Sequence, residues 1–139
     1  MTTHTTTVRS TFNHLSFPSP DAPATAAFFE HFLGFSVSSF GHSRIVKKDQ
    51  LDIVIEDGRD RDCTWPRNFH VGVEVATRAE LERIHADMLA ADIRMETELI
   101  THVRGSRFFC WMPGGVMLEV NTREDAAAEF RGTFASQQG

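Results

Sequence analysis

The 139-residue chain contains one order of predicted elements twice, and this repeat constrains its fold more than any other feature. Each copy consists of a strand, a helix and three further strands. The first copy is predicted over 8–57 and the second over 66–122. Antiparallel hairpins, with a helix on one face of each sheet, make the predicted class α+β, with two βαβββ modules in one domain over 8–122.

The element boundaries follow from turn residues and from the spacing of apolar side chains. A turn is predicted at Phe17-Pro18-Ser19-Pro20-Asp21, because proline, serine and aspartate favour turns. Asp21 then caps a helix that ends at Gly34. A second helix is predicted over 78–91 and a short polar one near 123–131. Strands are predicted over 8–17, 35–40, 43–47, 51–56, 68–76, 93–101, 106–112 and 116–121. The charged run 57–62 is the predicted linker, and 1–7 and 132–139 are predicted flexible tails.

Composition excludes several classes of function. The net charge of −5 and the pI near 5.8 argue against nucleic acid as a partner. No apolar stretch approaches the length of a membrane span, and the N-terminus does not resemble a signal peptide. Two cysteines, Cys63 and Cys110, do not make a disulfide framework. A reducing cytoplasm is therefore the expected compartment.

Two histidines occupy matching places in the repeat, in Phe12-Asn13-His14-Leu15-Ser16-Phe17 and Asn68-Phe69-His70-Val71-Gly72-Val73. A third ionisable group, Glu119, lies in the apolar run Val116-Met117-Leu118-Glu119-Val120. A buried strand seldom carries such a group without a partner. Two imidazoles and one carboxylate bind a divalent metal and leave coordination positions open. His14, His70 and Glu119 are therefore the predicted metal ligands.

Strand alternation puts the three predicted ligands on the faces that the helices do not cover. Val71 and Val73 offer the helix an apolar surface, so His70 points the other way. The same parity holds for His14 and Glu119, and convergence requires the two sheets to curve around one metal-binding cup. Asp52 shares this parity; the two interpretations are an additional ligand and a solvated residue, and the second is favoured.

The motifs resemble those of the vicinal oxygen chelate superfamily, which includes glyoxalase I, bleomycin-resistance proteins, fosfomycin-resistance enzymes and extradiol dioxygenases. The matching segments are Asn13-His14-Leu15, Phe32-Leu33-Gly34-Phe35, Phe69-His70-Val71 and Pro113-Gly114-Gly115-Val116-Met117-Leu118-Glu119. The resemblance implies curved mixed sheets around a metal-binding cup. It also implies metal ligands at His14, His70 and Glu119, while leaving the reaction open.

One segment is similar to extradiol catechol dioxygenases in particular. Thr101-His102-Val103-Arg104-Gly105-Ser106-Arg107-Phe108-Phe109 resembles the stretch before the glutamate ligand in those enzymes. This implies Fe(II), O₂ and a catechol substrate, with His102 as the acid–base group. Arg107 or Arg104 would bind a substrate carboxylate. Phe109 aligns with a tyrosine of those enzymes, and this chain contains no tyrosine.

The short chain suits the small single-domain extradiol enzymes, such as L-DOPA 2,3-dioxygenases, and this is the leading hypothesis. A second hypothesis is a fosfomycin-type transferase, a glyoxalase or an epimerase using Mn, Ni or Zn. The absence of tyrosine and the scarcity of lysine count against the transferase. A third is a non-enzymatic antibiotic-binding dimer with Trp65 and Trp111 in an aromatic cleft. A homodimer is a further expectation, and the sequence leaves open whether the cup is built within one chain or from swapped modules of two.

Overall fold

The computed structural model describes residues 7–132. Apart from residues 7 and 132, the predicted tails lie outside the described residues. The first module consists of β1 (His14–Ser19), α1 (Ala22–Leu33), β2 (Ser36–Phe40), β3 (Ser43–Lys48) and β4 (Leu51–Asp57). The second consists of β5 (His70–Val75), α2 (Arg78–Ala90), β6 (Ile100–His102), β7 (Gly105–Trp111) and β8 (Met117–Thr122). The predicted repeat of strand, helix and three strands is confirmed.

Each module forms its own four-stranded mixed sheet. The strand orders are β1-β4-β3-β2 and β5-β8-β7-β6, which are equivalent positions in the two modules. The first and last strands of each module pair in parallel, and the other pairs are antiparallel. The predicted α+β class with two βαβββ modules is confirmed.

Local capping sets the ends of both helices. The Asp21 side chain accepts a hydrogen bond from the Ala24 amide, and Gly34 ends α1 in the left-handed conformation, with φ of 75°. Thr77 and Glu80 form a reciprocal capping box at the start of α2. Both helix predictions are therefore confirmed to within a residue.

Three predicted elements differ from those observed. Residues 8–13 are not in a strand, and the predicted strand over 93–101 is reduced to β6 and an isolated bridge between Met95 and Cys110. The predicted helix over 123–131 is wrong, since only Ala128–Phe130 forms a 3₁₀ turn. Glu124 and Asp125 instead bind groups at the start of α2 and on β7, which holds this segment in turns.

One hydrophobic core joins the two modules through the faces that carry the helices. Phe17 and Ile53 of the first sheet and Phe108 and Leu118 of the second are fully buried in the same cluster. The two helices contact each other, and the Thr25 hydroxyl donates to the Pro113 carbonyl at 2.6 Å. Because both covered faces share this core, the uncovered faces of the two sheets point away from each other.

Neither cysteine forms a disulfide. Cys110 is buried in the core, where burial raises the pKa of its thiol to about 12. Within residues 7–132, no helix is long and apolar enough to cross a membrane.

Candidate metal centre

The second sheet brings two of the three predicted ligands together on its uncovered face. Glu119 on β8 lies opposite Gly72 in the register of β5, two residues beyond His70. His70 Nε2 and Glu119 Oε1 are 3.7 Å apart. An added Cβ at Gly72 would meet no atom within 4 Å, so the space above this pair is open.

The His70 ring is held in the tautomer that suits a metal ligand. Its Nδ1 lies 2.7 Å from the Asn68 carbonyl oxygen. A carbonyl oxygen only accepts, so Nδ1 carries the proton and donates, which leaves the Nε2 lone pair free. Asn68 has a left-handed backbone with φ of 69°, a conformation that asparagine tolerates better than most residues. This local turn directs the Asn68 carbonyl toward the ring.

His14 has the same arrangement on the first sheet. Its Nδ1 is 2.7 Å from Asn13 Oδ1, which only accepts, so its Nε2 is also free. Asp52 lies directly opposite His14 in the parallel register of β1 and β4, and its carboxylate is 3.8 Å from the Lys47 ammonium. An exposed ion pair of this kind is typical of a solvated residue.

The three predicted ligands do not meet within one chain. Among residues 7–132, no three His, Cys, Asp or Glu side chains lie close enough together to share an ion. His14 is exposed on the first sheet, and the shared core lies between it and the pair on the second sheet. The packing of the modules, rather than the orientation of each side chain on its strand, separates His14 from the pair.

Asn121 is part of this centre and was not identified from the sequence. It lies two residues after Glu119 on the same face of β8, and its Nδ2 donates to Glu119 Oε2 at 2.6 Å. Strand parity is the sequence signal that marks it, because Asn121 alternates with the buried Val120 and Thr122. Asn13 and Asn68 were not identified from the sequence either. Asn13 directly precedes His14, and Asn68 lies two residues before His70.

The other predicted site residues lie at increasing distances along the same face. Phe109 is opposite Glu119, and its ring meets His70 edge-on with 5.3 Å between the ring centres. Arg107 is opposite Asn121, one row further along. Arg104 lies at the tip of the β6–β7 hairpin, with its guanidinium 6.0 Å from the centre of the Phe130 ring.

His102 lies at the end of this sheet face that is furthest from Glu119. It pairs with Gly105, four residues along β7 from Phe109, which places it roughly 14 Å along the sheet from the row of Glu119. Its Nδ1 accepts a hydrogen bond from the Arg104 amide at 3.1 Å. The predicted acid–base role of His102 stays a prediction, and it requires a substrate or a hairpin movement that spans this distance.

A cavity of about 600 Å³ opens beside the pair of ligands. Phe109 and Met117 form its floor on the sheet, and residues 63–69, between β4 and β5, form its rim. Trp65 stacks on Phe69 with ring planes 13° apart, and the buried Trp65 Nε1 has no hydrogen-bond partner. The cavity therefore offers aromatic surfaces, which suit a planar ligand.

The donors of the second sheet fit a divalent metal. Imidazole nitrogen and carboxylate oxygen bind such ions at about 2.0–2.2 Å, so two ligands of one ion lie roughly 3–4 Å apart. The observed 3.7 Å between His70 Nε2 and Glu119 Oε1 falls within this range. The set of nitrogen and oxygen donors suits iron, manganese, nickel or zinc.

Several solved structures are similar to this fold. A possible glyoxalase from Bacillus cereus is 20% identical over 81% of this chain and 99% of its own, with a TM-score of 0.71. Lactoylglutathione lyase from Agrobacterium tumefaciens is 15% identical over 82% and 94%, with a TM-score of 0.66. Oxidase ChaP-H2 is 20% identical over 91% and 99%, with a TM-score of 0.71. At these identities the likeness shows the fold alone.

The sequence itself has no match among curated proteins. The model of the Glyoxalase/Bleomycin resistance protein/Dioxygenase superfamily matches residues 11–120, which span most of both modules and include all three predicted ligands. Superfamily members include metal-dependent enzymes, in agreement with the donors on the open sheet faces. The chain therefore belongs to the Glyoxalase/Bleomycin resistance protein/Dioxygenase superfamily.

Proposed function

We propose that the protein is a metal-dependent enzyme whose ligands are His70, Glu119 and His14. The observation that carries the proposal is the prepared pair on the second sheet. The Asn68 carbonyl fixes the His70 tautomer, Asn121 holds one Glu119 oxygen, and the other oxygen lies 3.7 Å from the free His70 nitrogen. Such outer hydrogen bonds are typical of metal ligands.

Within this class we propose a non-haem Fe(II) extradiol dioxygenase acting on a catechol such as L-DOPA. Two histidines and one carboxylate leave open positions on iron, and the bound metal would supply the activation of catechol and O₂ for ring cleavage. Similar structures include Oxidase ChaP-H1 and Oxidase ChaP-H2. A reducing cytoplasm is the proposed location, because ferrous iron and free thiols both persist there.

The chain's own residues would bind and orient the substrate. The cavity beside the pair would take the aromatic ring against Phe109 and Trp65. Arg107, one row beyond Glu119, would bind the carboxylate of an amino-acid side chain. His102 stays the proposed acid–base group, because in the described part of the second sheet it is the one other histidine on this face.

Anaerobic iron loading followed by an oxygen-uptake assay tests this function. The iron-loaded protein is expected to consume O₂ with L-DOPA or a simple catechol and to form a yellow semialdehyde. His70→Ala and Glu119→Ala should lose both the iron and the oxygen uptake. Full iron content with no uptake on any catechol would reject the dioxygenase, and full iron content in both variants would reject the ligands.

A metal-dependent lyase or isomerase using Mn, Ni or Zn is the second candidate. Phe109 provides no hydroxyl beside the pair, whereas the catechol dioxygenases that this chain resembles have a tyrosine there. The Agrobacterium tumefaciens structure is named as a lyase. Activity restored by nickel or zinc under anaerobic conditions, with no oxygen uptake in air, would favour this candidate.

We also propose that a second copy of the chain supplies His14. The uncovered sheet faces point away from each other, so His14 reaches a His70–Glu119 pair only when that pair belongs to another copy. A two-fold symmetric dimer would then contain two equivalent centres. A centre shared between two copies explains why His14 is separated from His70 and Glu119 within one chain, although strand alternation places all three on open sheet faces.

Mixing two inactive variants tests the shared centre. In a dimer of one His14→Ala chain and one His70→Ala chain, one centre contains all three native ligands and the other lacks both histidines. Random re-association is expected to restore roughly a quarter of the wild-type metal content per chain. A mixture that binds no more metal than the two separate variants would contradict the shared centre.

A further inference from the structure

A short polar row crosses the open face of the second sheet beside the proposed metal ligands. Asn121 on β8 lies between Glu74 on β5 and Arg107 on β7, and the three are directly opposed in register. This row follows that of Glu119 by two residues. We propose that Asn121 is a positioning residue that holds the Glu119 carboxylate for the metal, an inference that rests on the proposed function.

The contact between the two side chains supports this role. Asn121 Nδ2 donates to Glu119 Oε2 at 2.6 Å, and the other carboxylate oxygen, Oε1, faces His70 Nε2. A carboxylate with one oxygen fixed in this way presents the second oxygen in a defined direction. The Glu119 side chain is only 13% exposed, so water has limited access to replace the amide donor.

The orientation of the Asn121 amide leaves buried polar atoms in the same row without hydrogen-bond partners. A carboxylate only accepts hydrogen bonds, so the NH₂ end of the amide must face Glu119 and the oxygen must face away. Asn121 Oδ1 is buried without a partner, and so is the Nε of the opposed Arg107. A buried polar atom without a hydrogen bond costs about 1–3 kcal/mol. The fold retains this cost while keeping the contact with Glu119.

The residue type is also unfavourable for its position. Asparagine is depleted in strands, where β-branched residues pack better. Asn121 lies in the middle strand pair of the sheet between two fully buried neighbours, Val120 and Thr122. A residue that serves only the fold would be valine or threonine here. Stability and metal binding therefore make opposite demands on this position.

Replacing Asn121 with valine separates these two demands. Asn121→Val is expected to fold with an unfolding free energy close to that of the wild type, because removal of the buried unpaired oxygen offsets the lost hydrogen bond to Glu119. Its dissociation constant for Co²⁺ and for anaerobic Fe²⁺ should rise about 10–100-fold. The visible spectrum of the Co²⁺ form should also shift, because a released Glu119 carboxylate changes the geometry around the ion.

Two further variants control the experiment. Ser39→Val makes a similar polar-to-apolar change at an exposed position of β2, on the face opposite to that of His14, and should leave the affinity for both metals and the spectrum unchanged. Asn121→Gln keeps the amide donor and should recover part of the affinity. Wild-type affinity and an unchanged spectrum in Asn121→Val would overturn the role of Asn121 alone. Failure of the wild-type protein to bind either metal would overturn the proposed function as well.

Discussion

At the scale of single residues, backbone conformation decides which positions tolerate a side chain. Gly105 begins β7 with φ of 100°, and an added Cβ would overlap the Thr122 carbonyl oxygen. Gly72, in contrast, lies in ordinary strand conformation with open space above it. Both positions belong to the face of the second sheet that carries His70. The backbone conformation requires glycine only at position 105.

Replacing these two glycines with alanine should therefore give different results. Gly105→Ala is expected to lower the free energy of unfolding on the order of 1–3 kcal/mol, because it adds strain and a clash with backbone. Gly72→Ala serves as the matched control and should be neutral or slightly stabilising. Urea denaturation of both variants measures the difference. Equal stability of the two variants would contradict the conformation assigned to Gly105.

At the scale of elements, a polar cluster joins the start of α2 to the β6–β7 hairpin. The Arg78 guanidinium donates to Thr101 and to the fully buried Ser106, and it lies 3.1 Å from Asp125. Ser106 donates to the same Asp125 oxygen. Burial by itself raises the pKa of Asp125, but the hydrogen bonds from Ser106 and Arg78 outweigh it and hold the pKa below its usual value of 3.8.

This cluster makes part of the stability depend on pH. Because the Asp125 pKa is lower in the folded state, its contribution is fully present above pH 3.8 and is lost as the pH falls through the lowered value. Asp125→Asn should lower the unfolding free energy at pH 7 by about 1 kcal/mol. The difference from the wild type should shrink under acid conditions. Thermal unfolding of both proteins from pH 7 to pH 3 measures it, and a constant difference would refute this assignment.

At the scale of the whole molecule, the position of the core determines where a metal centre forms. The helices and the covered faces of both sheets meet in one cluster, so each open face needs a further surface to enclose it. The cavity beside His70 is bounded by the second sheet and by residues 63–69, and His14 lies on the open face of the other sheet. A second copy of the chain provides the missing ligand in the proposed arrangement.

Removal of the metal should therefore change the fraction of the protein that is dimeric. If the ion binds His14 from one copy and His70 with Glu119 from the other, chelation is expected to weaken the dimer and increase the monomer fraction at low concentration. Sedimentation velocity with and without a chelator measures this fraction. The His70→Ala variant, which lacks a ligand, should not respond to the chelator. A wild-type dimer that is unaffected by full metal removal would argue that no ion joins the two copies.

The sequence by itself determined the repeat, the helix ends and the strand faces of His14, His70 and Glu119. These features depend on alternation along a strand, periodicity along a helix and capping residues, which are all properties of neighbouring residues. Local pattern was insufficient for 123–131. There, Glu124 and Asp125 form hydrogen bonds with α2 and β7, contacts between residues distant in sequence that compete with a helix.

Only the tertiary structure decided which of the predicted ligands meet. Parity fixes the face of each side chain but not the angle between two sheets, which depends on how the helices pack into a common core. Pairing of β5 with β8 brings Glu119 to His70, and the packing of the two sheets leaves His14 on a face pointing elsewhere. The contact of Asn121 with Glu119 likewise depends on side-chain conformation, which the sequence pattern does not contain.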